Sequence, residues 1–475
     1  MKIEDHPTVK HVREKDKAGE PATVAAPGKL DATELRQLAL SCGADDVGLV
    51  EIGRRELDPQ RDEIFTRFPW TKTLLSFVCR MNREPIRSPA RSVANLEFHH
   101  RGEEVDEISR SVVAQLQEKG VRAINPSMGF PMEMNQFPNR IWVVAHKPVA
   151  VAAGLGHMGI HRNIIHPKFG NFILLGTVLL DAEATAYDHP IDYNPCLECN
   201  LCVAACPVGA ISSDGHFDFS ACFTHNYRDF MGGFNDWVEQ VAGSKDALDY
   251  RRQISEPETG SVWQSLSFGP SYKSAYCLSV CPAGEEVIRP FLTDRSQFLK
   301  EVVKPLQQKR ETVYVVAGSD AEAHVAKRFK QKRATQVGNA LRPQSIQALL
   351  DAMPHIFQRN RAAGLEATYH FTFTGAENRE ATVVIHQKTV AVSEGHTGAA
   401  DLHVMADTRT WLEFLARERN LLWALLTRKI RLKGSVRLLQ AFGKCFPTPS
   451  IRHRAAKVYP MPPLARPEVL PFRRN

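Results

Sequence analysis

Cys196, Cys199, Cys202 and Cys206, the last followed by Pro207, set out C-x2-C-x2-C-x3-C-P within NPCLECNLCVAACPVGAI. Sulfur at this spacing constrains everything around it. Three thiolates two residues apart wrap three corners of one iron–sulfur cubane, the fourth, beyond a short helical step, points toward a second cluster, and the proline then turns the chain. A second cysteine stretch must therefore return to the first. Cys277-x3-Cys281-Pro282, in SAYCLSVCPAGEE, supplies it, with Cys222 in FSACFTHN between them.

In the crossed arrangement of two-cluster ferredoxins, Cys196, Cys199 and Cys202 share one [4Fe-4S] cluster with Cys281, while Cys206 joins Cys222 and Cys277 on the other. Seven thiolates answer to eight positions, because Ser274 stands three residues before Cys277, where the motif wants cysteine. The second cluster is thus left with the Ser274 alkoxide, a water, one iron fewer, or a degenerate site, and one or two [4Fe-4S] clusters are expected. A zinc knot is the alternative for four close cysteines, but zinc pairs are usually separated by a longer loop and do not repeat C-x3-C-P. Disulfides fit less well. The opening MKIEDHPTVKHVREKDKAGE is polar and no run reaches membrane-spanning length, so no transmembrane segment and a reducing cytoplasm are expected. Cys42, Cys79 and Cys445 stand alone among apolar neighbours and read as buried small hydrophobes.

A chain of 475 residues with this apolar content exceeds one ordinary domain. The net charge of +7 comes from 60 basic against 53 acidic residues, and much of it sits in two places. The Pro-rich tail, residues 450–475, carries Arg452, Arg454, Lys457, Arg466, Arg473 and Arg474 against Glu468 and reads as disordered. Lys327, Arg328, Lys330, Lys332 and Arg333 form a basic run on an expected helix. Either run is able to touch nucleic acid, an anionic membrane or an acidic redox partner; a solvated tail or face is the default.

Residues 1–30 are poor in large apolar groups and read as disordered. Asp31 with Glu34 has the form of a helix cap, opening a helix that Gly43 ends before a strand at Val47–Val50. Another strand is expected at Thr73–Cys79, a helix from Gly102 to Lys119 on Val105, Ile108, Val112 and Leu116, and a strand at Val121–Ile124. Alternating helices and apolar strands argue a layered α/β domain over 31–190. Its last part, from His146 to Asp181, holds Gly154, Gly156 and Gly159 at G-x-G-x-x-G spacing. The alanine-rich, helical segment before Gly154 and the lack of a following acidic strand end argue against a dinucleotide site. Glycine here lets backbone pass close to something flat and bulky, or to another element.

AGLGHMGIHRNIIHPKFGNFILLGTVLL, then the four-cysteine motif, a lone cysteine and C-x3-C-P, resembles the family of epoxyqueuosine reductases and reductive dehalogenases, and GADDVGLVEI is similar to that family's opening strand. The resemblance covers roughly residues 31–300. It implies a nitroreductase-like cobalamin-binding α/β domain on a two-cluster ferredoxin domain, over residues 191–300, that feeds electrons to cobalt. Gly154, Gly156, Gly159, His161 and Arg162 are then the corrinoid-binding candidates. Departures matter: the family's upstream carboxylate falls on Arg140, and its basic residue after the third glycine falls on Ile160, with Arg162 nearby. His99 and His100, in LEFHHRGEE, are candidate proton donors, and Arg140 a candidate holder of an anionic group or halide; helix packing and a carboxylate pair are their plainer readings.

The aromatic stretch between Cys222 and Cys277 (Tyr227, Phe230, Phe234, Trp237, Tyr250, Trp263, Phe268 and Tyr272) is able to roof a cluster or a corrinoid, with core packing the default. Residues 301–340 read as a linker holding one strand and the basic helix. From 341 to 449, a helix, strands alternating at period two through Tyr369, Phe371 and Phe373 and then Val384, and the closing LKGSVRLLQAF resemble the sterol-carrier-protein lipid-binding domain. That resemblance implies a five-stranded α+β fold over an apolar tunnel. The expectation is a multidomain α/β and α+β iron–sulfur oxidoreductase, corrinoid-dependent, fed by a ferredoxin or flavodoxin and acting on an apolar small molecule or lipid. The alternative is a corrinoid-free electron-transfer protein with a lipid-binding domain, serving a partner enzyme.

Overall fold

The computed structural model describes residues 2–18, 28–126, 142–226, 231–268, 275–338, 343–416 and 418–447. Arg140, Ser274, Tyr227, Phe230, Tyr272 and the tail 450–475 lie outside the described residues.

Residues 7–17 correct the expectation of disorder before residue 30. Pro7–Lys17 is a helix (α1), capped by the His6 side chain accepting from Thr8 N–H, with proline at its first position and no buried residue. Local capping holds it, which a reading based on core-forming residues overlooks. Asp31 caps Ala32–Ser41 (α2), its Oδ1 accepting from Thr33 and Glu34 N–H at 2.9 Å.

The first domain is a four-stranded antiparallel sheet in the order Asp46–Glu51 (β1), Thr73–Arg80 (β2), Ile173–Leu180 (β4), Ala123–Ile124 (β3). One face packs α2 and the long helix Arg91–Glu118 (α3) through Leu35, Val105, Ile108, Val112 and Leu116. The other carries His146–Ala152 (α4) through Val149 and Ala152. Both β2 and β4 are therefore apolar along nearly their whole length, as strands covered on two sides must be. At Gly176 a Cβ would lie 2.1 Å from Phe77 Cζ, so the glycine makes room for that ring on the neighbouring strand.

Beyond it, Leu201–Ala205 (α5), Phe219–His225 (α6) and Tyr276–Val280 (α7) share one core with Val303, Leu306, Val313, Val315, Ala321 and Val325. Residues 301–338, read as part of a linker, are thus built into this core. Thr312–Val315 (β5), Asp320–Arg328 (α8) and Arg333–Gln336 (β6) form a parallel strand–helix–strand unit built into the iron–sulfur region. Its strand is β-branched and aromatic (TVYV) and Ser319 caps its helix, so it meets the requirements of a crossover. Lys332, read as part of a solvated basic face, is buried with 0% side-chain exposure. The stretch between Cys222 and Cys277 contains helices Met231–Gly243, Ala247–Gln253 and Glu256–Ser267, with Phe234, Trp263 and Phe268 exposed and Trp237 donating to the Tyr250 hydroxyl at 2.8 Å.

The last domain follows α9 (Ile346–Ile356) with a five-stranded sheet ordered Thr389–Glu394 (β9), Arg379–His386 (β8), Ala367–Thr374 (β7), Leu402–Asp407 (β10), Ile430–Gly434 (β11). Only β7 and β10 pair in parallel. Tyr369, Phe371 and Phe373 point to the buried face, under α9, Thr408–Leu415 (α10) and Val436–Cys445 (α11). This domain rests on the iron–sulfur region. Arg359 pairs with Asp214 at 2.9 Å, His355 meets the Phe219 ring at 5.8 Å, and Gln358 Oε1 accepts from Asp320 N–H at 2.7 Å.

The first domain and the iron–sulfur region interlock at two glycines. A Cβ on Gly170 (φ +66°) would lie 2.1 Å from Ala283 O, and one on Gly284 (φ +109°) 2.3 Å from Gly170 N. Glu285 and Glu286 N–H donate to Pro167 and Lys168 carbonyls across the same seam. Gly284→Ala is therefore expected to destabilise by about 2 kcal/mol or more, since both the left-handed backbone and the backbone contact resist a methyl group. Urea unfolding checks this; a loss below about 0.5 kcal/mol would mean that the seam yields.

Candidate iron–sulfur centre

Two short helices carry the thiols, and they are copies of one another. In each, a non-glycine residue in the left-handed region precedes the helix: Asn200 at φ 58° before α5, Ala275 at φ 47° before α7. In each, cysteine takes the second position (Cys202, Cys277), and a cysteine with extended backbone ends it (Cys206, Cys281). The extended ends follow from Pro207 and Pro282, which exclude the helical conformation one residue upstream. Glu198 is left-handed as well, at φ 51°. Each such residue costs roughly 1–2 kcal/mol, and the strain sits where the chain turns its sulfurs inward.

Helices α5 and α7 pack on each other, which crosses their cysteines. Cys196, Cys199, Cys202 and Cys281 line one cavity, together with Ile160, His161, Pro282 and Ala283. Cys281 feels the charges of Cys199 and Cys196, and Cys202 those of Cys281 and Cys199. Cys222 instead feels Cys277 and Cys206. The two groups adjoin, for Cys277 also acts on Cys202 and Cys281.

Burial pushes the Cys281 thiol up to about 12 and Cys277 to about 11, and raises Cys199, Cys202, Cys206 and Cys222. Thiols this deeply enclosed become thiolates only when a metal supplies the positive charge that solvent cannot. Donor chemistry, spacing and cavity therefore fit a cluster at Cys196, Cys199, Cys202 and Cys281. Among the described residues no three His, Cys, Asp or Glu side chains close on a single metal ion. The second group, Cys206, Cys222 and Cys277, offers three thiols that burial raises in the same way.

Around that group stand residues the sequence did not single out. Asn163 Nδ2 donates to Cys277 Sγ at 3.5 Å, and Ala210 N–H to Cys206 Sγ at 3.3 Å. Lys147 donates to the Arg162 carbonyl and Asn163 Oδ1, each at 2.9 Å, and its charge reaches Cys277 and Cys222. Amide donors and a nearby cation stabilise the more reduced, more negative state of a cluster. No spacing rule ties Lys147 or Asn163 to cysteines more than 50 residues away, so only the fold reveals them.

The three glycines among the five corrinoid candidates are packed against the chain itself. A Cβ on Gly154 (φ +74°) would lie 2.5 Å from His189 O, one on Gly156 (φ +152°) 2.5 Å from Ile165 O, and one on Gly159 2.8 Å from Ile165 Cδ1. The glycines are explained by close approach of the chain's own elements. His161 is buried against the first thiol cavity, and burial lowers its pKa to about 4, so it is neutral at pH 7. Its Nδ1 accepts from Asn163 N–H at 3.1 Å, and its Nε2 lies 3.3 Å from Asn171 Nδ2. Arg162 Nη2 donates to Gly215 O at 3.3 Å, engaged with the iron–sulfur region. His99 and His100 lie within α3, His99 half-buried and His100 exposed.

The family model of the 4Fe-4S binding domain matches residues 189–212, and that of the SCP-2 sterol transfer family matches residues 346–447. This chain joins a 4Fe-4S binding domain to a sterol-transfer domain. It is similar to epoxyqueuosine reductases. With that of Cellulophaga algicola it shares 31% identity over 124 residues, 24% of this chain and 40% of the relative. With that of Vibrio cholerae it shares 23% over 229 residues, 42% and 59% of the two chains. The chain spans about half the length of the curated relatives it matches. The solved epoxyqueuosine reductase of Streptococcus thermophilus aligns over 68% of this chain and 84% of its own at 14% identity and a TM-score of 0.32. No helix among the described residues is long and apolar enough to cross a membrane.

Proposed function

We propose that this chain is an iron–sulfur reductase that accepts electrons from a ferredoxin or flavodoxin and whose sterol-transfer domain retains an apolar small molecule as substrate. The observation that carries this reading is the packing of α5 on α7, which brings two adjoining sets of thiols together. Bound [4Fe-4S] clusters supply one-electron transfer. The chain's own contribution is to hold the thiols apart from water, to offset charge at the second group through Lys147, Asn163 and the Ala210 N–H, and to keep His161 neutral beside the first. All ten cysteines are free, in keeping with a reducing compartment such as the cytoplasm.

Similarity to epoxyqueuosine reductases supports a corrinoid as the next acceptor. The glycine turn is packed against the chain's own backbone at His189 and Ile165, and Arg162 is bonded to Gly215, so these residues lend the corrinoid no added support. The occupied glycine faces favour the second reading, a corrinoid-free electron-transfer protein serving a partner enzyme. Anaerobic reconstitution with iron, sulfide and cobalamin, followed by gel filtration and an absorption spectrum, separates the two. Retained corrinoid supports the first, and clusters alone support the second. Iron near eight atoms per chain is expected for two complete cubanes and near four if Ser274 marks a dead site. Colourless protein with zinc in the thiols would remove both readings.

A further inference from the structure

The helix Leu421–Leu426, LLWALL, is apolar on both sides. Ala424 is buried, and Leu421 and Leu425 pack half-buried against the core of the last domain, the i, i+3, i+4 set that seats a helix. On that pattern the opposite side should be polar. It carries Leu422, Trp423 and Leu426 instead, 69%, 54% and 82% exposed. Single exposed apolar residues are ordinary, but three large ones on so short a helix leave a protruding apolar tip in water.

Cations gather behind the tip. Asn420 caps the helix, its Oδ1 accepting from Leu422 N–H at 2.8 Å, and just before it Arg419 lies over the Trp423 ring at 5.6 Å while pairing with Glu413. At the other end Arg428, left-handed at φ 56°, turns the chain into β11. Arg428, Lys429 and Arg431 are exposed, and none of them pairs with a carboxylate among the described residues. From Glu418 to Pro447 seven basic residues stand against Glu418 alone.

This distribution selects the occupant. A second copy of the chain would set Arg428 and Lys429 against themselves, and the segment 450–475 is itself basic, so neither complements the tip. Tryptophan and leucine foremost, with arginine and lysine immediately behind them, match the depth profile of a lipid interface, acyl boundary first and anionic headgroups next. We infer that the last domain docks on an anionic lipid surface through Leu422, Trp423 and Leu426, with Arg428, Lys429 and Arg431 on the headgroups. The helix is too short to span a bilayer, so the contact is peripheral and salt-dependent. None of these residues lies in the iron–sulfur region, and the contact stands apart from the redox reading.

Flotation of the full chain with vesicles tests it, comparing phosphatidylcholine alone with equal parts phosphatidylcholine and phosphatidylglycerol, at low and high salt. With three cations at about fivefold each, the wild type is expected to bind the anionic vesicles about a hundredfold more tightly than the neutral ones, and to lose most of that margin at high salt. Arg428→Asn with Lys429→Gln should reduce the margin to about fivefold; asparagine suits the left-handed backbone at 428. Leu422→Ser with Leu426→Ser should weaken binding to the anionic vesicles about tenfold or more. All four side chains are exposed, so iron content and circular dichroism should match the wild type and serve as folding controls. Absence of binding to anionic vesicles overturns the inference and leaves the tip to a protein; a dimer in light scattering that the leucine variant dissolves would name a second copy. Binding that survives in the leucine variant overturns it in favour of the basic tail, and equal binding to both kinds of vesicle removes the headgroup contact. Loss of iron in the wild type would bear on the iron–sulfur reading alone.

Discussion

Cys281→Ala is expected to strip about four iron atoms from each chain, while leaving the group at Cys206, Cys222 and Cys277 in place. Cys281 ends α7, and its sulfur faces Cys196 and Cys199, more than 80 residues earlier, rather than sharing a corner with Cys277 one helical turn away. Cys277, on the same short helix, faces Cys206. The crossing makes a specific demand on double variants. Cys196→Ala with Cys281→Ala should lose no more iron than either change alone, since both act on one cluster, whereas Cys277→Ala with Cys281→Ala should lose iron from both groups. Iron and acid-labile sulfide analysis of anaerobically purified protein decides it. Additive loss in the first pair, or none beyond the single variants in the second, would place the sulfurs in sequence order and undo the crossed arrangement.

Lys332→Met should cost about 3–5 kcal/mol of stability in the iron–sulfur region, the effect of breaking a buried ion pair from one side. All three ammonium protons are engaged: with Leu306 O at 2.9 Å, Lys309 O at 3.0 Å and Glu311 Oε1 at 2.6 Å. Tyr276, next to Cys277, donates to the Glu311 carboxylate at 2.5 Å, and Arg91 and Lys332 both lie over its ring, at 5.3 and 5.5 Å. Burial works to raise the Glu311 pKa; the charge and hydrogen bond of Lys332, with the bond from Tyr276, more than reverse it and hold the carboxyl below its ordinary range. Without Lys332 the carboxylate loses its nearest cation, keeping Tyr276 and Lys309 at 3.5 Å, and two buried carbonyls lose their donor, which is the costly case. Pairing Lys332→Met with Glu311→Leu should recover much of the loss, because no uncompensated charge then remains. Denaturant unfolding of the metal-free chain reads both variants. A single-variant cost below about 1 kcal/mol, the range of an exposed pair, would show that water reaches the site.

Much of the thiol site was legible in the order of residues because cluster chemistry fixes local spacing. C-x2-C-x2-C-x3-C-P states which cysteines can reach one cubane, and Pro207 and Pro282 fix the extended ends of α5 and α7 before any tertiary contact is made. The alternation of Tyr369, Phe371 and Phe373 likewise marks one buried face of a strand, and the closing LKGSVRLLQAF lies within the region the SCP-2 model matches. Fidelity fell where spacing carries two meanings. Gly154, Gly156 and Gly159 read equally as room for a macrocycle or as room for the chain itself, and the contacts with His189 and Ile165 show the second. Lys332 looks like any member of a basic run until β6 carries it under Tyr276.

The order of residues alone therefore determined which sulfurs exist, their local geometry, and the alternation that gives the last domain its sheet, because these depend on neighbours within a few positions. Tertiary structure alone decided that residues 301–338 complete the iron–sulfur core, that Lys147 and Asn163 attend Cys277, and that Lys332 is buried against Glu311. Those facts depend on distances between segments tens to hundreds of residues apart, which no local pattern encodes, and on burial, which turns an ordinary lysine into a group that must find a partner.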